Sequence, residues 1–279
     1  MPAKTNIVVF TYHPSTLPLL NFLKKATNIK VIVLPANRDT KTLSPIVLWA
    51  RKHHIAYLKT ENCNGQGIVQ KIKKIKPDLN VIFNFPQIFK KDLLKVSPAI
   101  NFHPGDLPKY RGAHVLNWAI INGEKRIAVT CHFVDEGIDS GDIIAKKYLN
   151  ISSIDDIGSL SKKVAQTVPA LAKVALKKLD NPGFLGEKQD LEKSTYFKRR
   201  KPEDGQINWL SKIEDIQNLV RALADPWPGA FTYINGKKII IDKIKPRRAP
   251  KIKAGGYLKN GRKIFFGATD GTVEVIKWR

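Results

Sequence analysis

The feature that most constrains the fold is a regular alternation of two hydrophobic patterns between residues 6 and 179. Short apolar runs of strand length are followed by stretches in which apolar residues recur every three or four positions, the spacing of a helix face. We predict strands at residues 6–11, 31–34, 56–58, 79–83, 99–102, 128–134 and 143–149. We predict helices from residue 17 and at residues 44–53, 68–75, 88–96, 114–121 and 156–179. This alternation favours a Rossmann-like α/β fold with a mostly parallel sheet covered by helices on both faces.

The pattern changes beyond residue 180. Residues 181–204 are polar and charged, which predicts a linker. The chain then contains short apolar runs separated by dipeptides typical of hairpin turns, Asn235-Gly236, Asn260-Gly261 and Asp270-Gly271. We therefore predict two domains, an α/β domain at residues 1–200 and a small β-rich, OB-like domain at residues 201–279.

Composition and cysteine content narrow the class of protein. The chain is 43% hydrophobic, yet no stretch approaches the roughly 20 apolar residues that a membrane-spanning helix requires. The N-terminal residues lack the basic start and apolar run of a signal peptide. We expect a cytoplasmic protein without a membrane partner. Cys63 and Cys131 stand far apart with no metal-type spacing, so neither a disulfide nor a zinc site is predicted.

The formal net charge of +24 raises the possibility of a nucleic-acid partner. The excess is spread evenly, because residues 201–279 carry 16 Lys and Arg against 8 Asp and Glu, and residues 1–200 carry 32 against 16. An even excess composed mostly of lysine favours a solvated surface over a dedicated RNA-binding face.

Three polar residues near the ends of predicted strands are candidates for chemistry. Asn101 and His103 are two positions apart in a strand and therefore project from the same face. Asp139 lies between Gly137 and Gly141 in a predicted tight turn. Each residue taken alone is also compatible with an ordinary strand end or turn.

The surrounding motifs carry more information as a set. The larger domain contains Asn-x-His at 101–103, Leu-Pro-Lys-Tyr-Arg-Gly at 107–112, Asn-Trp at 117–118, Asn-Gly-Glu at 122–124 and Asp-Glu-Gly-Ile-Asp-x-Gly-Asp at 135–142. The smaller domain contains Asp-Gly at 204–205, Val-Arg-Ala at 220–222 and Asp-Pro-Trp-Pro-Gly-Ala-Phe at 225–231. Together they resemble the 10-formyltetrahydrofolate-dependent formyltransferases, a family that includes methionyl-tRNA, glycinamide ribonucleotide and sugar-nucleotide formyltransferases. The resemblance covers nearly the whole chain.

The resemblance implies an N-formyltransferase whose catalytic residues are Asn101, His103 and Asp139, with 10-formyltetrahydrofolate as the formyl donor. An amine that attacks a formamide carbon builds negative charge on oxygen and positive charge on nitrogen. The site must therefore stabilise an oxyanion and remove a proton. An amide, an imidazole and a carboxylate supply these functions, and the chemistry requires neither a metal ion nor a covalent intermediate.

The resemblance also places folate beside the loop after the fourth predicted strand, where relatives hold the pterin largely through backbone groups. The predicted folate-binding residues are Asn84, Phe85, Pro86, Gln87, Ile88, Phe89 and Asp142. Pro86 and Phe89 are expected to form a flat apolar wall. A simple strand-to-helix turn with a buried phenylalanine is the alternative.

The choice of acceptor is limited by differences between this chain and two branches of the family. The purine branch carries a glycine-rich loop where this chain has residues 11–14, and the tRNA branch carries a basic insertion where residues 35–42 are short and mildly basic. The tRNA branch also continues farther beyond residue 271. We therefore favour a nucleotide-linked amino sugar, with initiator methionyl-tRNA as the alternative. The predicted acceptor-binding residues are His13, Lys109, Tyr110 and Arg111.

One further departure lies beside the catalytic histidine. Relatives commonly have His-x-Ser-Leu-Leu-Pro, whereas this chain has Pro104, Gly105 and Asp106 after His103, so the acceptor pocket is expected to differ. A hypothesis of another class is a catalytically idle RNA-binding relative. The strands of the small domain also make a homodimer an open alternative.

Overall fold

The computed structural model describes residues 4–279. The strands are β1 Asn6–Phe10, β2 Asn28–Pro35, β3 Ala56–Thr60, β4 Leu79–Ile82, β5 Ala99–His103, β6 Arg111–Gly112, β7 Arg126–Phe133, β8 Ile143–Asn150, β9 Tyr196–Phe197, β10 Ala230–Ile234, β11 Lys237–Arg247, β12 Tyr257–Asn260, β13 Lys263–Ala268 and β14 Gly271–Trp278. The α-helices are α1 Leu17–Ala26, α2 Thr40–Lys52, α3 Gln66–Ile75, α4 Lys91–Leu94, α5 Val115–Ile121, α6 Ile157–Leu179 and α7 Ile213–Ala222. Among residues 4–279, no helix combines the length and apolar character needed to cross a bilayer.

The chain divides into two compact units. The first contains the described residues up to Arg111 together with Ala128–Leu149 and Lys162–Tyr196. The second contains Gly112–Ile127, Asn150–Ser161 and Phe197–Arg279. A domain boundary between residues 200 and 201 stays a prediction.

The first unit is built on a seven-stranded sheet in the order β3-β2-β1-β4-β5-β7-β8. The pairs β1–β2, β2–β3, β1–β4 and β4–β5 are parallel, and β7 runs antiparallel to β5. The predicted α/β class with a mostly parallel sheet is confirmed. Buried aromatic residues pack at this sheet: the ring of Phe10, in β1, is in edge-to-face contact with the ring of Phe89 at 4.6 Å. Ligands of such folds bind beyond the carboxyl ends of the parallel strands.

In two helices, side chains that bind backbone groups explain why the first residue differs from the prediction. Helix α2 begins at Thr40 rather than at residue 44, since the carboxylate of Asp39 accepts a hydrogen bond from the N–H of Thr42 at 2.8 Å and caps the helix. Helix α4 begins only at Lys91. The side chain of Asn64 bonds the carbonyl of Ile88 at 2.9 Å and the N–H of Lys90 at 2.8 Å, so these groups are not part of a helix.

The second unit contains a five-stranded antiparallel sheet in the order β10-β11-β14-β13-β12. Its core includes Trp209, whose ring stacks on Phe266 at 3.9 Å and whose indole N–H donates to Thr232 at 2.9 Å. Helices α5 and α7 also belong to this unit, and the amide of Asn117 donates to the carbonyl of Ala222 at 2.7 Å. The predicted small β-rich domain is confirmed.

Part of the predicted linker is an ordered component of the first unit. Glu187 pairs with Ile143 of β8 through two backbone hydrogen bonds of 2.7 and 2.8 Å. The carbonyl of Thr195 accepts from the N–H of Arg111 at 2.9 Å. The polar sequence suggested a linker because these contacts use backbone and amide groups rather than apolar side chains.

Candidate active site

Asn101 and His103 project from β5 toward one carboxylate. The amide nitrogen of Asn101 lies 3.4 Å from Oδ1 of Asp139, and Nδ1 of His103 lies 3.5 Å from the same oxygen. The prediction that the two residues share a strand face agrees with this geometry. The structure thus brings the three predicted catalytic side chains together, with Asn101 and His103 both next to Oδ1 of Asp139.

The turn that carries Asp139 is shaped by its neighbours. Oδ1 of Asp135 accepts hydrogen bonds from the N–H of Gly137 at 3.0 Å and from the hydroxyl of Ser140 at 2.7 Å. The turn is so tight that a Cβ atom at Gly137 would collide with the hydroxyl of Ser140. Asp139 itself has a φ angle of 52°, a left-handed conformation that Asp adopts more readily than most residues. Asp135 therefore satisfies the turn, which leaves the Asp139 carboxylate to face the cluster.

Local contacts fix the hydrogen position on His103. Nε2 lies 2.6 Å from the carbonyl oxygen of Tyr110, and since a carbonyl only accepts, Nε2 carries the hydrogen. Burial lowers the pKa of His103 and outweighs the opposing influence of Asp139 and of the Tyr110 carbonyl. The ring is therefore neutral at pH 7. Its unprotonated Nδ1 faces Asp139 and is available to accept a proton.

The cluster also contains a second histidine, which was not among the predicted site residues. His132 of β7 lies directly opposite Asn101 in the antiparallel register, and its Nε2 is 3.2 Å from the Asn101 amide nitrogen and 3.5 Å from Oδ1 of Asp139. Its Nδ1 donates to the carbonyl of Phe133 at 2.6 Å, and its Nε2 accepts from the amide of Asn101. The pairing of β5 with β7 was the signal needed to find it.

The cluster can take up one proton from a reacting group. His103 and His132 each direct toward Asp139 the ring nitrogen that has no hydrogen in the neutral form. A proton that reaches Nδ1 of His103 is stabilised by the nearby carboxylate. The arrangement combines an amide donor with a proton acceptor, as acyl transfer to an amine requires.

The predicted folate-binding loop follows β4 beside this cluster. Ile82, the last residue of β4, pairs with Asn101, so the chain leaves the strand next to the catalytic residues. Asn84 has a φ angle of 54° and donates through its side chain to the hydroxyl of Ser15 at 2.9 Å. Within residues 4–279, the backbone groups of residues 84–87 form no hydrogen bonds with protein. These unpaired groups and the exposed Ile88 fit a flat heteroaromatic ligand with donor and acceptor edges.

The side chains of two predicted folate-binding residues make contacts within the protein. Phe89 is only 2% exposed and packs against Phe10, so its ring does not form the expected apolar wall. The amide of Gln87 bonds the N–H of Cys63 at 2.7 Å and the carbonyl of Glu61 at 3.0 Å, which anchors the loop. Phe85 and Pro86 are partly exposed. Asp142 is also partly exposed, and its backbone carbonyl accepts from Phe133 at 2.9 Å.

The four residues predicted to bind the acceptor differ in availability. His13 is exposed, and its Nδ1 lies 2.9 Å from the same Ser15 hydroxyl that Asn84 contacts. Lys109 is exposed. Tyr110 is only 7% exposed, so its ring offers no open aromatic face. Arg111 directs Nε and Nη2 at the side-chain oxygen of Gln189, at 3.1 and 2.7 Å.

Comparisons with known proteins identify the family. The formyl transferase family matches residues 6–175, and the C-terminal domain of formyl transferases matches residues 199–279. The bifunctional polymyxin resistance protein ArnA of Wigglesworthia glossinidia brevipalpis is 34% identical over 285 residues, which cover 97% of this chain and 42% of that protein. Methionyl-tRNA formyltransferase of Geobacter metallireducens is 34% identical over 213 residues, or 75% of this chain and 68% of that protein.

A solved structure shares the fold over the whole chain. The crystal structure of the N-formyltransferase from Helicobacter canadensis, in complex with folinic acid and dTDP-3-aminofucose, has a TM-score of 0.73 at 20% identity and covers 99% of this chain and 100% of that one. The chain spans less than half of the bifunctional relative. It belongs to the formyl transferase family, and the class of enzyme that these matches indicate is an N-formyltransferase.

Proposed function

We propose that the chain transfers the formyl group of 10-formyltetrahydrofolate to the primary amine of a nucleotide-linked amino sugar, in the cytoplasm. The observation that carries this proposal is the convergence of Asn101, His103 and Asp139, in which two side-chain nitrogens lie within 3.5 Å of one carboxylate oxygen. The folate is the co-substrate that supplies the one-carbon unit.

Each residue of the cluster has a distinct part in this mechanism. The acceptor amine attacks the formyl carbon, and an N–H of Asn101 stabilises the negative charge that forms on oxygen. Nδ1 of His103 accepts the proton that the attacking nitrogen releases, and Asp139 stabilises the resulting imidazolium. Collapse of the tetrahedral intermediate breaks the bond to N10 of the folate. The proton then passes to N10, which leaves tetrahydrofolate and the formamide.

The loop at residues 84–88 is the proposed folate site. The backbone groups of residues 84–87, which form no hydrogen bonds within residues 4–279, lie where the chain leaves β4 next to Asn101, which suits a pterin ring held by main-chain donors and acceptors. Folinic acid bound to the Helicobacter canadensis relative supports the choice of a folate donor. The side chains of Phe89 and Gln87 anchor this loop through their contacts with Phe10, Cys63 and Glu61.

The proposed acceptor follows from the length of the connection between β2 and α2. Strand β2 ends at Pro35, and α2 begins at Thr40 with Asp39 as its cap. The connection between them is therefore too short to contain an RNA-binding insertion. The amino-sugar ligand of the Helicobacter canadensis relative supports a small acceptor. Methionyl-tRNA formyltransferase among the relatives keeps initiator methionyl-tRNA as the second candidate. In the favoured case His13 and Lys109 are the exposed residues that contact the nucleotide sugar.

A direct assay separates the two acceptors. The purified protein is incubated with 10-formyltetrahydrofolate and either a panel of dTDP- and UDP-linked amino sugars or initiator methionyl-tRNA, and tetrahydrofolate release and formylated product are measured. We expect turnover with at least one amino sugar, and none above background with the tRNA. Formylation of the tRNA alone would establish the second candidate. A protein that formylates neither, while binding tRNA with a steep salt dependence, would support the idle RNA-binding hypothesis.

The pH dependence of the reaction follows from the state of His103. Its pKa is lowered from the ordinary value of 6.5, so the ring becomes protonated only at pH values below 6.5. We expect kcat/KM, divided by the fraction of unprotonated acceptor amine, to be constant above pH 6.5 and to fall in more acid solution. Rates measured between pH 5 and 9 test this expectation. An acid limb centred above pH 7 would contradict a neutral His103 as the proton acceptor.

A further inference from the structure

One amide side chain outside the predicted site joins the turn of Asp139 to the loop of Tyr110 and Arg111. Nε2 of Gln189 donates to the backbone carbonyls of Asp139 at 2.9 Å and Gly141 at 2.7 Å. Its oxygen accepts from Nε and Nη2 of Arg111 at 3.1 and 2.7 Å. Both hydrogens of the amide are directed into the turn, and its acceptor is directed at a cation.

These hydrogen bonds stabilise the part of the turn with the least favourable backbone geometry, at Asp139 and Gly141. Asp139 has a left-handed backbone with a φ of 52°, and a Cβ atom at Gly141 would collide with the carbonyl of Phe133. The carbonyls of Asp139 and Gly141 both lie within hydrogen-bond distance of one nitrogen, and an amide NH2 group has a hydrogen for each of them. The amide of Gln189 provides that pair of donors.

Gln189 is itself held in place on both sides. Glu187 pairs with Ile143 through backbone hydrogen bonds of 2.7 and 2.8 Å. Farther along, Thr195 accepts from the N–H of Tyr110 through its hydroxyl at 2.9 Å and from the N–H of Arg111 through its carbonyl at 2.9 Å. The segment therefore contacts the Asp139 turn and also the loop whose Tyr110 carbonyl receives the His103 hydrogen bond.

We propose that Gln189 is a positioning residue for formyl transfer, which sets the separation of the Asp139 carboxylate from His103 and Asn101. The role rests on the proposed function, because it acts through those three side chains. Arg111 holds the amide in the orientation that presents its NH2 group to the turn. This contact gives Arg111 a role in the site other than the predicted contact with the acceptor.

Two substitutions at this position distinguish the proposal from a general structural role. Gln189→Met keeps the length of the side chain and removes all four hydrogen bonds. Gln189→Glu keeps an acceptor for Arg111 but cannot donate to the carbonyls of Asp139 and Gly141. We expect kcat to fall by about 10²-fold in both variants, with KM for donor and acceptor within about twofold of the parent, since displacement of a catalytic group by about 1 Å has an effect of this size. Gln166→Met, at an exposed glutamine of α6, is the matched control and should retain the parent kcat.

A parent-like kcat in Gln189→Glu would show that the contact with Arg111 suffices and would overturn the proposal. Crystal structures of the parent and of Gln189→Met provide a test that does not depend on activity. We expect the distance between Nδ1 of His103 and Oδ1 of Asp139 to exceed its value of 3.5 Å in the variant. An unchanged distance and turn would also overturn the proposal. Failure of the parent to transfer a formyl group would instead count against the proposed function, and the crystallographic comparison would still decide the role of Gln189.

Discussion

Replacement of His103 by alanine is expected to lower kcat for formyl transfer by about 10²- to 10⁴-fold, the range typical of a lost general acid–base group. In the structure the hydrogen of this ring lies on Nε2, which donates to the carbonyl of Tyr110, and burial lowers its pKa. Its Nδ1 faces Asp139 at 3.5 Å, and no neighbouring group duplicates this placement beside Tyr110. Without the ring, the attacking amine loses the proton acceptor that the proposed mechanism requires.

The effect on kcat has to be separated from an effect on folding. His54→Asn is a suitable control, because His54 is an exposed histidine whose backbone has a φ of 54°, a conformation that asparagine tolerates. We expect this control to retain the parent kcat. Folate affinity should be similar in His103→Ala and the parent, although the variant should unfold at a lower temperature because a buried ring and its hydrogen bond to Tyr110 are lost. If His103→Ala turned over at the parent rate, the mechanism proposed above would be wrong.

The second large effect is expected from Gly105→Ala. A Cβ atom at Gly105 would lie closer to Nε2 of His103 and to the carbonyl of Tyr110 than real Cβ atoms approach other groups. The added methyl group would occupy the space beside the hydrogen bond that fixes the His103 ring. We expect kcat to fall by about 10²-fold because the ring is displaced. We also expect the free energy of unfolding to fall by about 1–3 kcal/mol because the backbone has to shift.

Gly67→Ala is the matched control for this substitution. Gly67 lies in α3, and a Cβ atom there would meet nothing within 4 Å. Alanine in a helix is more favourable than glycine by about 0.5–1 kcal/mol, so this variant should be at least as stable as the parent and equally active. Urea unfolding and kcat measured on both variants test the prediction. Equal stability and activity of the two would show that the space beside His103 is not restricted.

The sequence was sufficient for features that depend on local pattern. The period-2 geometry of a strand places Asn101 and His103 on one face, and both lie beside Asp139 in the structure. Alternating apolar patterns predicted the sheet and its helices, with errors mainly at helix ends. Those errors arose where polar side chains such as Asp39 and Asn64 bind backbone groups, which hydrophobic periodicity does not report.

Features that depend on long-range pairing could not be predicted in this way. His132 joins the cluster only because β7 runs antiparallel to β5 and brings it opposite Asn101. Gln189 is 50 residues from Asp139 in sequence and lies in a segment whose polar composition suggested a linker. Burial of Tyr110 and Phe89 was equally hidden, because an aromatic residue in a loop can pack inward or face a ligand.

The central claim is that an amide, an imidazole and a carboxylate converge on the formyl group of a bound folate. A crystal structure of the protein with a stable 10-formyl folate analogue tests this directly through the distances from the formyl oxygen to the side chains. We predict that the pterin lies along residues 84–88 and that the formyl oxygen is within about 3.2 Å of the amide nitrogen of Asn101. A folate bound elsewhere, or a formyl group beyond hydrogen-bond reach of Asn101, His103 and Asp139, would contradict the account.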